Sequence, residues 1–209
     1  MESLFPAEID AYLETLLPER DEVFREMERT AEETGFPHIG PYMGGLLELL
    51  ARISSARVVF ELGSGFGYSA AWFARGLAER GRVILTDLRE ENLERAREYF
   101  RRLGFEDRCE FRVGDALELL RAEEGPLDII FCDIQKEAYP DVIEPARERL
   151  RPGGLLIADN TLWSGRVARP DPDPETRAVQ RYNRILADHP EFHAVLLPLR
   201  DGVTVARKL

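Results

Sequence analysis

A chain of 209 residues with 44% hydrophobic content is long enough to bury one sizeable core and sits near the upper end of single-domain size. Its formal net charge of -11 argues against a broadly basic face for nucleic acid or anionic lipid and suits the binding of cations. Nothing near the start has the order of a signal peptide, and no apolar run reaches the ~18 residues of a membrane span. The two cysteines, Cys109 and Cys132, lie in the apolar stretches CEFRV and IIFCD, as buried thiols of a reducing, cytoplasmic compartment would.

Residues 7–34 carry apolar positions at helical spacing (Ile9, Tyr12, Leu13, Leu16, then Val23 and Met27), split by Pro18 and ended by Gly35. They read as two short helices outside the main sheet. From Arg57 the pattern becomes five strand-then-helix units. RVVFEL precedes a helix from about Gly67, RVILTD a helix over 90–102, and CEFRV one over 115–122; LDIIFCD precedes 137–150, and GLLIAD roughly 174–187. Such a series means an α/β fold, a doubly wound, mainly parallel sheet covered on both faces. FHAVLLPL, the turn Arg200-Asp201-Gly202 and VTVARKL close the chain. An Asp-Gly between alternating apolar runs is a hairpin signal, so the last two strands are expected to be antiparallel. One domain over 1–209 is expected, with N-terminal helices in 1–52 and the sheet core in 53–209. The stretch ARPDPDPE (168–175) is too short to separate domains and reads as a surface loop.

After the first strand comes Glu61-Leu62-Gly63-Ser64-Gly65-Phe66-Gly67-Tyr68-Ser69. In a doubly wound sheet this turn lies at the carboxyl end of the strands, where glycines let a ligand approach the backbone. A dinucleotide fingerprint would want glycine at the place of Tyr68, and the acidic Glu61 suits a ligand without phosphates. Asp87 ends the second strand 20 residues beyond Gly67, where a carboxylate meets a ribose diol. Together they imply an adenosyl group without pyrophosphate; the competing reading is an ordinary tight turn and strand end. Gly114-Asp115-Ala116 adds a third acidic strand end at the same edge.

The fourth strand ends in Asp133-Ile134-Gln135-Lys136 and the fifth in Asp159-Asn160-Thr161. Both ends emerge at the rim of the glycine turn, so two carboxylates and an amide oxygen can converge there. An all-oxygen set favours Mg²⁺, Mn²⁺ or Ca²⁺ over Zn²⁺, and His38, His189 and His193 are too scattered to serve as ligands. The same residues also fit a turn pair (Asp159-Asn160) and a helix cap (Asp133). With a cation in place, a substrate hydroxyl loses its proton more easily, and Lys136, three residues beyond Asp133, could take it; the competing reading is an ordinary solvated loop lysine.

VVFELGSGFGYSA, ILTDL, the D-x-x-K-x-x-Y of Asp133 to Tyr139, IADNTLWSGRV (157–167) and LLPLRDGVTVARKL together resemble the cation-dependent O-methyltransferases, the caffeoyl-CoA and catechol O-methyltransferase family, in its bacterial form. The resemblance runs from about Ile39 to the C-terminus in unchanged order. It implies a Rossmann-like, seven-stranded sheet with the last strand antiparallel, S-adenosylmethionine as methyl donor, metal ligation by Asp133, Asp159 and Asn160, and Lys136 as catalytic base. It further implies that Glu61, Gly63 and Ser69 line the methionine part and that Asp87 holds the ribose. Asp115 and Ala116 would approach the adenine, Ile39 would lie against the donor, and Asp133 would face both donor and metal. Many caffeoyl-CoA relatives have Asp-Ala-Asp-Lys where this chain has Asp133-Ile134-Gln135-Lys136, which leaves the ligands intact and changes the substrate side.

The acceptor implied is a small catechol-like phenol, with 5-hydroxyuridine in tRNA as the alternative, Mg²⁺ as the first choice of metal and a homodimer as the assembly. Arg166, Arg169 and Arg177 could contact phosphates or form a solvated face, and Trp163 could stack on a flat ring or pack its loop. Two other classes compete: an NAD-binding oxidoreductase, which would want the missing glycine, and a non-catalytic adenosyl-binding module.

Overall fold

The computed structural model describes residues 7–170 and 172–209. Three helices come first: α1 (Ala7–Glu14), α2 (Glu22–Thr34) and α3 (Gly40–Ile53). Asp21 starts α2 by accepting the Phe24 N–H, and Gly35 ends it in the left-handed conformation. The first two match the helices expected over 7–34. The third is not legible as a separate helix in the pattern, because Gly44 and Gly45 interrupt it with residues that ordinarily disfavour helix, while Pro41 stands in its first turn, where proline is tolerated. Its glycines are there for packing: a Cβ on Gly44 would stand 2.3 Å from the Trp72 indole, and one on Gly45 2.8 Å from Pro18.

The expected strand–helix series follows: β1 (Val58–Leu62), α4 (Tyr68–Gly76), β2 (Arg82–Asp87), α5 (Glu90–Leu103), β3 (Cys109–Val113), α6 (Ala116–Ala122), β4 (Leu127–Cys132), α7 (Tyr139–Arg149), β5 (Leu150–Ala158), α8 (Pro174–Ala187), β6 (Phe192–Leu197) and β7 (Val203–Lys208). One seven-stranded sheet results, in the order β3-β2-β1-β4-β5-β7-β6. The first five strands pair in parallel, and β7 runs antiparallel to both β5 and β6, as the Asp-Gly turn requires. Of the loop expected over 168–175, Asp171 lies outside the described residues, and Pro174 already opens α8.

Alternation along the strands divides the core in two. Val59, Val83, Leu85, Ile129, Phe131 and Ile157 pack under α2 to α5 with Phe24, Met27, Trp72, Phe73 and Phe100. Phe60, Leu62, Ile84, Ile130, Cys132 and Leu156 pack under α6 to α8 with Leu120, Tyr139, Val142 and Tyr182. Cys132 is buried as expected; Cys109, also free, is only half-buried, because β3 is an edge strand. Among the described residues no helix is long and apolar enough to cross a membrane.

The contact of α3 with α4 seats the N-terminal helices on the sheet. Gly44→Ala is expected to lower stability by about 1–3 kcal/mol, because the buried Trp72 has nowhere to retreat. Urea unfolding should show a lower midpoint with an unchanged slope.

Candidate active site

Strand register builds the site. Leu62 lies opposite Thr86 on one side and Cys132 on the other, and Cys132 opposite Ala158. The next residue on each strand is therefore Gly63, Asp87, Asp133 and Asp159, one row at the carboxyl edge of the parallel sheet. A cavity of about 970 Å³ opens over this row. Every residue expected to serve the site lines it, namely Ile39, Gly63, Ser69, Asp87, Asp115, Ala116, Asp133, Lys136, Asp159 and Asn160, with the exception of Glu61. Glu61 lies fully buried beneath, on the strand below Gly63.

The glycine turn is held from inside. Ser64 N–H donates to the Thr86 carbonyl, Thr86 N–H to the Ser64 hydroxyl, and Gly65 N–H to Asp87 Oδ2 at 3.0 Å. Asp87 also accepts from Arg89 N–H and the Asn92 amide, so its carboxylate sets the loop as well as facing the cavity. Gly63 and Gly65 have φ of +83° and +52°. Cβ atoms there would stand 2.4 Å from the Asp133 carbonyl oxygen and 2.7 Å from the Phe36 ring. These two glycines thus answer to the protein's own packing, not only to the approach of a ligand. Asp115 caps α6 by accepting the Glu118 N–H, and Ala116 follows it into the cavity wall.

Glu61 has neither carboxylate oxygen hydrogen-bonded among the described residues. Burial pushes its carboxyl up to about 7, against the lowering influence of Ser64 and Ser69. A buried acid with two serines beside it, but no ion pair and no hydrogen bond of good geometry among the described residues, fits a ligand that brings a positive charge or N–H donors.

Asp159 is 2% exposed, with Oδ1 unpartnered among the described residues and Oδ2 3.6 Å from Arg200 Nη1. Burial first, then the charge of Asp133, raises its pKa. Asn160 follows at φ 57°, a turn conformation that also brings it to the cavity wall. Asp133 caps no helix: the short 3₁₀ turn Lys136–Ala138 and α7 both start without a side-chain cap. Its Oδ1 instead accepts from Lys136 Nζ at 3.1 Å. Two crowded carboxylates, one with an orphaned oxygen, beside an amide are a donor set that a hard divalent cation would satisfy.

Lys136 is 7% exposed and donates also to the Ile134 carbonyl (3.2 Å) and the Tyr139 hydroxyl (2.6 Å), while Tyr139 donates to the Asp159 carbonyl at 2.9 Å. The Trp163 ring lies 5.5 Å from the amine. Sequence reasoning gives Tyr139 no role and treats His38 as structural, yet His38 lines the cavity. Arg200, read from sequence only as part of a turn, joins Asp159 to the His38 carbonyl (3.2 Å). Its neighbours bind the loop that follows β5: Asp201 accepts the Leu162 and Ser164 N–H groups, and the Gly202 carbonyl accepts that of Thr161. A signal for Lys136 is present in the composition, where only two lysines, Lys136 and Lys208, stand against 26 arginines.

Comparison with known proteins gives a consistent picture. The family model described as O-methyltransferase matches residues 12–209. A catechol O-methyltransferase of Niastella koreensis is 31% identical over 95% of both chains. Caffeoyl-CoA O-methyltransferase 1 of Eucalyptus globulus is 32% identical over 79% of this chain and 72% of its own. The crystal structure of an O-methyltransferase from Bacillus cereus in complex with SAH is similar with a TM-score of 0.88 at 31% identity, over 97% of each chain.

The burial of Glu61 has a measurable consequence in the cofactor-free protein. Between its ordinary value of 4.5 and about 7 the folded chain holds a proton that the unfolded chain has released, so stability falls as pH rises through that window. The difference between wild type and Glu61→Gln should reach on the order of 3 kcal/mol above it. Denaturant unfolding at pH 4 to 8 checks this: the wild-type slope should flatten in the glutamine variant.

Proposed function

The chain belongs to the O-methyltransferase family and is an S-adenosylmethionine-dependent O-methyltransferase, and from that membership we propose that it methylates a hydroxyl of a small catechol-like phenol with the help of a divalent cation, Mg²⁺ first. The observation that carries the metal is the buried, unpartnered Oδ1 of Asp159 beside Asp133 and Asn160. Asp133, Asp159 and Asn160 would hold the ion, which supplies charge stabilisation and lowers the pKa of a bound hydroxyl.

The chain's own residues divide the remaining work. Glu61, beneath the glycine turn, faces the positively charged end of the donor; Ser69 lies near it, Asp87 takes the ribose, and Asp115 and Ala116 take the adenine. Ile39, 3% exposed, closes the donor side from the N-terminus of α3. Lys136 accepts the proton of the acceptor hydroxyl while the oxygen takes the methyl group from the sulfonium, leaving a neutral thioether. Trp163, flanked by Lys136 and by Arg166 at 5.2 Å, offers a flat wall to the acceptor ring. Positioning and fixed charge supply most of the acceleration, with no covalent enzyme intermediate.

The relatives named for catechol and caffeoyl-CoA support a phenolic acceptor. The two free cysteines fit a cytoplasmic setting. Ile9 and Tyr12 on α1 and Leu49 and Ile53 on α3 remain exposed, an apolar surface that a second copy of the chain would cover in a homodimer.

Transfer of a labelled methyl group to a catechol panel and to hydroxyuridine-containing tRNA, with Mg²⁺ and with chelator, tests the assignment. Metal-stimulated labelling of a catechol is expected, lowered at least ~100-fold by Asp159→Ala and ~100- to 10,000-fold by Lys136→Met. Labelling that survives both chelation and Asp159→Ala would remove the metal from the mechanism, and labelling of tRNA alone would change the acceptor.

A further inference from the structure

We propose that Tyr139 is a positioning residue for Lys136, holding the amine in place when Asp133 is engaged elsewhere; this rests on the reading of Lys136 as proton acceptor. A 3₁₀ turn eclipses side chains three apart, so the turn Lys136–Ala138 leading into α7 stacks Lys136 on Tyr139, with the amine 4.5 Å from the ring centroid. The ring has no freedom: Tyr139 is fully buried and packs edge-on to Tyr182, centroids 5.4 Å apart.

The hydroxyl has a single proton, and its two carbonyl acceptors, Asp159 at 2.9 Å and Cys132 at 3.5 Å, both lie on the protein backbone and claim it. Tyr139 therefore presents a lone pair to Lys136, whose N–H reaches it at 2.6 Å, the shortest of the three contacts of the amine. Of the other two, Asp133 is a residue that a cation would claim, and the Ile134 carbonyl is 3.2 Å away. A lysine on its flexible four-carbon stem would then have one weak anchor. The Tyr139 oxygen is the anchor that stays, fixed to the backbone of the same Asp159.

Tyr139→Phe removes that oxygen and little else. The expected result is a kcat lowered about 10- to 100-fold, with KM for donor and acceptor and the Kd for Mn²⁺ within twofold of wild type. In a Lys136→Met background the same change should alter the residual rate less than twofold, because the group it positions is gone. The chain has two lysines, so isotope labelling of lysine at Cε gives one side-chain signal for each: that of Lys136 should move in Tyr139→Phe and that of Lys208 should not. An unchanged kcat, an equal fractional loss in both backgrounds, or a weakened Mn²⁺ affinity accounting for the whole effect would overturn the proposal. Should the variant fail to fold, the labelled wild type still decides: motionally averaged Lys136 methylenes without contacts to an aromatic ring would overturn it. A Lys136→Met enzyme with wild-type kcat would instead defeat the proton-acceptor reading itself.

Discussion

The structure depends on one row of strand ends. Because Leu62, Thr86, Cys132 and Ala158 are brought level by parallel pairing, Gly63, Asp87, Asp133 and Asp159 leave the sheet side by side. Alternation then decides where their side chains go, since Asp133 and Asp159 continue the parity of Phe131 and Ile157, which pack beneath α2 to α5, and Glu61 has the parity of Val59. A slip of one residue in any pair would turn a carboxylate into the opposite core. Like charges gathered in a partly desolvated place raise one another's pKa, and Asp159 carries that effect from Asp133.

Much of the surrounding structure answers this crowding. Arg200 arrives from the β6–β7 turn to stand by Asp159, and Lys136 folds back to Asp133. Asn160, Trp163 and Ser164 all have positive φ, which for residues other than glycine costs on the order of 1–3 kcal/mol each where the region is sparsely populated. That conformation persists because Asp201 and Gly202 satisfy the N–H groups of Thr161, Leu162 and Ser164, while Asn183 donates to the Thr161 carbonyl. The hairpin turn is thus also the buttress of the loop that would present a ligand oxygen.

The sheet and the row were legible in the sequence, because five apolar runs each ended in a small or acidic residue and each was followed by an amphipathic stretch. Local patterning suffices for that. It does not suffice for α3, whose glycines are chosen by Trp72 and Pro18, residues distant in the chain. Arg200 is hidden for a similar reason: an Arg-Asp-Gly turn is fully explained by the hairpin it closes, and nothing local says that its side chain meets Asp159, 41 residues earlier. His38 looks isolated in the sequence because the cavity wall it joins is assembled from both ends of the chain. Tyr139 stands in a recognisable motif, yet its role depends on a 3₁₀ turn that spacing alone does not distinguish from the start of a helix.

The use of basic residues separates the two halves of the acid pair. A chain that fills 26 of its 28 basic positions with arginine treats guanidinium as the default cation, and Arg200 beside Asp159 follows that habit. If a fixed charge were all that Asp133 needed, arginine would serve there too, with more donors and better bidentate geometry. Lysine differs in one relevant respect: it can give up its proton in a protein, whereas arginine does not. The amine is buried and held by Asp133, the Ile134 carbonyl and the Tyr139 hydroxyl, so on the proposed mechanism what the site gains from lysine at 136 is an exchangeable proton at a fixed place. Asp159 is paired with an arginine and Asp133 with a lysine, and under the proposed mechanism that asymmetry separates a cation that stays a cation from one that serves as a base.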